Sequence, residues 1–363
     1  MQVRNKYLIA LHVITSDQYM AVNGKKFDIV KLVLAVLIVA IHSSMPGMWF
    51  RPILRLAVPL FFIISSYLFF SKQRLMTSLE ERRRGLRKYA IRILKLYFFW
   101  FVLLLPLTIY FRKWYVDFSP ETLLTVVRSF LFGSTFMASW FLMASLLGVV
   151  VVWFLSRYRV GDKWIVALGV VAYAACCMFS TYYSTVEWNE AVVNGYESYT
   201  TIFASPFNSF PCSILFVAIG KILAERKLSF SNVWLIIILV ISMIVLYVEF
   251  LLTNSCCRVI NDDCYFVLPV ACACLFILIG QSQPCEIGID TKKLRATSTI
   301  IYCSHATILS YMGLVLKNNG IERPNDAWLM LMFLTALAIS LGLSLLLLKL
   351  EKYPSLSWLR YSH

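Results

Sequence analysis

The sequence has few charged residues and few histidines for its length. Of its 363 residues, 15% are Asp, Glu, Lys or Arg and only four are histidines. A soluble domain is about 25% charged and about 45–50% apolar, whereas this chain is 60% apolar, with a mean hydropathy of +0.74. A globule of this composition would lack the polar surface needed to cover it. Soluble enzymes, disordered proteins and fibrous proteins are therefore excluded.

The ten cysteines include no Cys-x-x-Cys pair. Most of them lie in apolar runs, where cysteine behaves as a small hydrophobic residue. Cys256, Cys257 and Cys264 share one short loop, where a disulfide is an open alternative. We predict no metal site and no bound cofactor.

Long apolar runs are what the chain does contain, and they approach or exceed the length needed to cross a hydrocarbon core of about 30 Å. They predict an all-α membrane protein, a polytopic bundle of about ten transmembrane helices embedded in a lipid bilayer. The ten candidate helices are 28–45, 53–71, 89–110, 136–155, 164–181, 208–224, 233–252, 265–280, 297–316 and 328–349.

The net charge of +15 has its source in the loops. Of the 34 Lys and Arg residues, 23 fall in alternate loops together with both termini, and only 8 fall in the remaining loops. This asymmetry places both termini in the cytoplasm. No Lys/Arg stripe lies on a soluble domain, so we expect no nucleic-acid partner.

Three segments follow from this layout. Residues 1–26 form a cytoplasmic N-terminal segment, in which Met20 is an alternative translation start. Residues 27–350 form the ten-helix bundle, and residues 351–363 form a cytoplasmic tail.

Ionisable residues within the predicted helices are costly to bury in lipid, and their default interpretation is functional. They form two layers. The layer near the cytoplasm is basic, with Lys31, Arg92 and Lys95, and the outer layer combines His42, Arg55 and Glu249. The set also includes Asp28 in the first helix and His305, which falls near the middle of its helix.

Lys31 and His42 share one face of the first helix. Eleven residues at about 100° each make three turns plus about 20°, and they separate the two side chains by roughly 16 Å along the axis. One helix therefore presents a cation near the cytoplasm and a titratable base in the outer third. This arrangement suits a long ligand with an anionic head and a reactive tip, and acyl-coenzyme A is such a molecule.

The same residues resemble motifs of the membrane-bound acyltransferase-3 family. Phe27 to His42 is similar to that family's first-helix pattern of Arg or Lys, ten residues, then His. RLAVPLFFIISSYLF, which starts at Arg55, resembles the second helix, with Ser-Ser-Tyr where the family usually has Ser-Gly-Tyr. SWFLMASLLG, FNSFPCSILFVAIGKIL and STIIYCSHATI resemble later family segments and follow in family order.

This resemblance implies a bacterial inner-membrane O-acyltransferase. Such an enzyme transfers an acyl group, often acetyl, from cytoplasmic acyl-CoA as co-substrate to a hydroxyl of an extracytoplasmic or lipid-linked glycan. His42 is the candidate general base because a sugar hydroxyl is a poor nucleophile at neutral pH. Glu249 is the candidate partner that orients the imidazole.

The remaining candidates are substrate-binding residues. Arg55 is expected to stabilise an oxyanion or to bind an acidic acceptor. Lys31, Arg92 and Lys95 are expected to meet the phosphates of coenzyme A. The other members of the set, for which packing or lining of the substrate path is the main expectation, are Trp140, Tyr302 and His305.

Two other functions stay open. A proton-coupled secondary transporter also carries buried charges, although transporters often show paired halves with broken helices, and no such pairing is visible in the sequence. A flippase or polymerase of lipid-linked glycans is the second alternative.

Overall fold

The structure is a computed structural model, and it describes residues 24–112, 119–226, 230–256, 258–282, 290–322 and 324–363. Met20 and most of the predicted N-terminal segment lie outside the described residues, as does Cys257. Every regular element in the described ranges is helical.

Each of the ten predicted helices corresponds to an observed helix. The described residues also form two further helices of 13 residues each, apart from the single helical turn Arg51–Leu54. In chain order the twelve are α1 (24–42), α2 (Ala57–Arg74), α3 (Leu79–Arg112), α4 (Pro120–Phe132), α5 (Trp140–Arg157), α6 (Asp162–Met178), α7 (Glu190–Ile202), α8 (Phe210–Glu225), α9 (Asn232–Cys256), α10 (Leu268–Gln281), α11 (Thr291–Asn318) and α12 (Asp326–Leu350).

Local sequence explains where several helices begin. Ser78 and Glu81 form a capping box at the start of α3, in which the amide of Glu81 donates to the Ser78 hydroxyl over 3.1 Å. Side chains of Ser119 and Asn189 cap α4 and α7, the two helices that the apolar pattern did not predict. A polar cap satisfies amide groups that have no partner within the helix.

Fewer helices qualify as membrane spans, by their length and composition, than the structure contains. Among the described residues, six helical segments are long and apolar enough to cross a membrane, and the bent pair of α7 and α8 makes seven. The helices α6 and α10 have 17 and 14 residues, so they rise only about 26 and 21 Å against a core of about 30 Å. The protein is an integral membrane protein, while ten spans and cytoplasmic termini stay predictions.

The core forms around α8, which packs against α2, α5 and α6. Glycines allow these close approaches. A Cβ on Gly148 would lie 2.2 Å from the hydroxyl of Ser213, and one on Gly220 would lie 2.1 Å from the hydroxyl of Ser66. In the segment that resembles the family's second helix, Ser66 stands where the family usually has a Gly. The glycine that permits the close contact is Gly220, on the facing helix α8.

The predicted tail at 351–363 is folded against the bundle. Residues Pro354–Ser362 form a 3₁₀-helix. The indole of Trp100 in α3 donates to the carbonyl of Ser362 over 3.0 Å, and the ammonium of Lys95 lies 4.6 Å from the ring centre of Tyr361. Lys95 therefore contacts the tail, and it lies one helical turn after Arg92 in α3, so its role toward coenzyme A stays a prediction.

Candidate active site

A cleft lies where α1 ends and α2 begins, and we call it the histidine cleft. It is narrow, with a cavity volume of about 50 Å³. Its lining includes residues from distant parts of the chain: His42, Arg55, Trp140, Cys212, Asp263 and Tyr302. Four predicted site residues therefore meet at one cleft, and most of the remaining wall is apolar or aromatic.

His42 is the last residue of α1, and its side chain is exposed to the cleft. Its ring centre lies 5.1 Å from that of His305 in α11. His305 is fully buried, and its Nδ1 lies 2.7 Å from the carbonyl oxygen of Tyr302. Because a carbonyl only accepts, Nδ1 carries the hydrogen. In the neutral ring Nε2 is then an acceptor, and it has no partner among the described residues.

Arg55 is held by two neighbouring carboxylates. One guanidinium nitrogen donates to Asp262 and the other to Asp263. The Arg55 side chain is only 12% exposed, so the pairing fixes a group that would otherwise be a costly isolated charge. The sequence predicted that Arg55 stabilises an oxyanion or binds an acidic acceptor, without a partner for it in the chain. The structure instead gives a trio of one cation and two anions, and Asp263 also lines the histidine cleft.

Glu249 does not take part in this trio. Its carboxylate accepts hydrogen bonds from the Tyr182 hydroxyl at 2.5 Å and from the amides of Phe266 and Val267 at 3.0 and 3.3 Å. These amides immediately precede α10, so Glu249 holds the turn that leads into that helix. Among the described residues, Asp263 is the carboxylate that shares the cleft with His42.

Tyr302 and Trp140 belong to the wall of the cleft. The Tyr302 hydroxyl donates to the carbonyl of Ala138, which has a φ of +60° in the left-handed region. The amide of Trp140 donates to the hydroxyl of Ser134 over 3.0 Å. These bonds hold the turn before α5, and they agree with the expectation that both aromatic residues pack or line the site.

A second group of charges lies nearer the start of α1, and we call it the inner cluster: Asp28, Lys31, Lys72, Arg92 and Arg295. Arg295 makes two hydrogen bonds to the buried Asp28, at 3.0 and 2.8 Å. Lys31 interacts electrostatically with all four other members. Four cations around one carboxylate leave a net positive site.

The face of α1 between the inner cluster and His42 is packed against other helices. Ala35 and Ile38 lie on this face, and they are 0% and 1% exposed. A ligand that follows the line from Lys31 to His42 therefore has to displace packed side chains or take a path beside them.

A comparison with known protein families identifies the family of this protein. A sequence profile described as "Acyltransferase domain" matches residues 25–348, which is most of the chain. The chain belongs to the acyltransferase-3 family. Members of this family are membrane O-acyltransferases. No solved structure matches this acyltransferase.

A curated protein of Enterococcus faecalis named "Amino-acid racemase" is 25% identical to the acyltransferase over 339 residues. The match covers 90% of this chain and 46% of that protein, so the chain spans about half the length of the curated relative it matches.

Four charged residues at these sites were not predicted from the sequence: Lys72, Asp262, Asp263 and Arg295. Asp262 and Asp263 pair with Arg55, and Arg295 pairs with Asp28. A buried Arg55 requires a carboxylate at its own depth. The adjacent acids of the sequence Asn261-Asp262-Asp263 are the signal that could have identified its partners.

Proposed function

We propose that this acyltransferase transfers an acyl group, in the simplest case acetyl, from acyl-CoA to a hydroxyl of an extracytoplasmic or lipid-linked glycan. The observation that carries the proposal is the position of His42, whose imidazole opens into a cleft that also contains Asp263 and its partner Arg55. An imidazole near a carboxylate is suited to take a proton from a hydroxyl, because the carboxylate stabilises the imidazolium that forms.

The reaction balances with His42 as the only proton carrier. A nitrogen of His42 takes the proton of the acceptor hydroxyl. At the same time the oxygen of that hydroxyl attacks the thioester carbonyl carbon of acyl-CoA. The tetrahedral intermediate collapses, the carbon–sulfur bond breaks, and the thiolate of coenzyme A takes the proton back from His42. An ester and free coenzyme A are the products.

Arg55 is proposed to stabilise charge on the carbonyl oxygen of the intermediate. A guanidinium has five N–H donors, and the two aspartates occupy only part of them. Because the guanidinium is already fixed, it needs little reorganisation as charge develops.

The inner cluster is proposed to receive the phosphates of acyl-CoA. Lys31 and Arg92 have no carboxylate partner within hydrogen-bonding distance among the described residues, whereas Arg295 is engaged with Asp28. Free cations bind phosphate oxygens through charge-assisted hydrogen bonds. We therefore expect acyl-CoA to approach from this end of the bundle.

The acceptor and the location are part of the proposal. Aromatic rings and a few polar groups line the histidine cleft, as in many small-molecule sites. The family resemblance points to a surface glycan at a bacterial inner membrane. The racemase name of the Enterococcus protein is not extended to this chain, since the match covers less than half of that protein.

Release of free thiol from acetyl-CoA tests the proposal. Purified protein in nanodiscs is incubated with acetyl-CoA, with and without membrane glycolipid extracts as acceptor. We expect slow hydrolytic release alone, faster release with acceptor, and loss of both with His42→Gln. A folded wild-type protein that releases no thiol under either condition would favour a transporter or flippase.

A further inference from the structure

A second cleft opens at the end of the bundle where α2, α5 and α8 finish and α3 begins. We call it the arginine cleft, because its lining includes Arg74, Arg82, Arg157 and Arg159. Its cavity volume is about 660 Å³. None of these arginines belongs to the histidine cleft or the inner cluster.

The four arginines have no acidic partner among the described residues. Arg74 donates to the carbonyl of Ala224 at 3.4 Å, and Nε of Arg82 donates to the carbonyl of Met76 at 3.2 Å. The acidic residue of the lining is Glu225, which is engaged with Lys221 at 2.6 Å. The cleft therefore concentrates positive charge that the described part of the protein does not neutralise.

Gln73 gives an independent indication of a ligand. Its side chain lines the arginine cleft and is only 6% exposed. Its Nε2 donates to the carbonyl of Arg82 at 3.0 Å, which fixes the amide, while its Oε1 has no hydrogen-bond partner among the described residues. A buried acceptor without a partner is costly, and a hydroxyl or amino group of a ligand would satisfy it.

The arginine cleft is separate from the histidine cleft. Trp140 and Arg157 lie at opposite ends of α5, which places them about 26 Å apart along the axis. Between them α5 is packed closely on α8, with Gly148 against Ser213. A ligand in the arginine cleft is therefore not in contact with His42 in this structure.

We propose that the arginine cleft binds a phosphorylated ligand that carries a hydroxyl or amino donor beside its phosphate. The arginines bind the phosphate oxygens, and Oε1 of Gln73 accepts from the donor. Phe70 and Trp153 provide an apolar and aromatic floor. The nucleotide end of acyl-CoA and the headgroup of an anionic phospholipid such as phosphatidylglycerol both have this chemistry.

Binding to the full-length protein in phosphatidylcholine nanodiscs tests the proposal. One arm titrates adenosine 3′,5′-bisphosphate by calorimetry. The other arm adds phosphatidylglycerol to the nanodiscs and measures the shift in Tm. The variant is Arg157→Gln/Arg159→Gln.

The matched control for this variant is Arg83→Gln/Arg87→Gln. It removes the same charge from exposed positions of α3 that do not line the cleft.

We expect at least one probe to bind, and the cleft variant to weaken that binding tenfold or more while the control changes it less than twofold. Gln73→Leu should weaken the same probe. Binding of the bisphosphate identifies a nucleotide ligand, and a response to phosphatidylglycerol alone identifies a headgroup.

Equal losses in both double variants, no loss in either, or no binding to wild-type protein would overturn the proposal. No arm measures turnover, and His42→Gln should bind both probes as wild type does. The result is therefore independent of the proposed acyl transfer.

Discussion

The imidazole rings of His42 and His305 have centres 5.1 Å apart and are tilted by 44°, although the two residues are 263 positions apart in the sequence. One ring opens into the histidine cleft and the other is completely buried. The buried ring is anchored through Nδ1 to the carbonyl of Tyr302. The pair therefore combines a fixed imidazole with an accessible one, and we assign proton transfer to the accessible ring of His42.

Replacement of His42 by Gln is expected to lower turnover by about 10²–10⁴-fold, the usual contribution of a general base. Glutamine keeps the polarity of the side chain but cannot carry the proton. The measurement is thiol release from acetyl-CoA, beside acyl-CoA binding and Tm. Turnover close to wild type would contradict the role of His42, whereas a protein that no longer folds would indicate that the residue joins helices.

Asp263 is expected to act as a positioning residue for His42. Asp263→Asn should lower kcat about tenfold or more with a smaller change in the KM for acyl-CoA, because it removes the charge that stabilises the imidazolium. Asp263→Glu should recover part of the loss. An unchanged kcat in a folded Asp263→Asn protein would exclude this role.

Glu249 provides the contrast. Sequence analysis assigned it to His42, but its hydrogen bonds go to Tyr182 and to two amides before α10. Glu249→Gln should therefore lower Tm clearly and change kcat only slightly, since a hydrogen bond to a charged group contributes about 1.5–3 kcal/mol to stability. A selective loss of kcat with an unchanged Tm would restore the sequence-based role.

The helices could be predicted because apolar runs of this length have few alternatives to helix in a membrane. The two missed helices, α4 and α7, are amphipathic and depend on polar caps at Ser119 and Asn189 rather than on a long apolar run. Depth along each helix placed Arg55 and His42 at a similar level, and both residues line the histidine cleft.

Partner choice could not be predicted in the same way. Depth alone allowed either Glu249 or Asp263 beside His42, because both lie near the same end of the bundle. The decision depends on how the segment between α9 and α10 folds, and that segment has no periodic pattern. Lys95 illustrates the same limit, since its contact with Tyr361 comes from a tail that returns to the bundle.

Gly220→Ala is expected to destabilise the protein by about 1–3 kcal/mol, as overpacking of a core does. The new Cβ would lie 2.7 Å from the backbone oxygen of Ile63 as well as close to Ser66, so a rotamer change cannot relieve it. Gly313→Ala in α11 is the matched control, because a Cβ there meets nothing within 4 Å. Equal Tm values for the two variants would contradict the packing of α2 on α8.

The orientation of the loops can be tested by cysteine labelling. Arg84→Cys and Asn194→Cys place thiols at exposed positions in the first turns of α3 and α7, which are predicted to lie on opposite sides of the membrane. Among the described cysteines only Cys256 is exposed. The background therefore requires removal of Cys256, together with Cys257 and Cys285 outside the described residues. We expect an impermeant reagent to label only one of the two positions in intact cells, and labelling of both from one side would contradict the topology.

Lys31→Ala is expected to raise the KM for acyl-CoA about tenfold with a smaller effect on kcat, because a phosphate contact made equally in substrate and transition state appears in KM. Lys31→Arg should recover much of the affinity, since Arg also reaches a phosphate. Lys88→Ala removes the same charge from an exposed position of α3 outside the inner cluster and should leave KM unchanged. Calorimetry with acyl-CoA measures the binding step directly. Normal affinity in a folded Lys31→Ala protein would mean that the inner cluster is structural and that acyl-CoA enters elsewhere, with the arginine cleft as the next site to test.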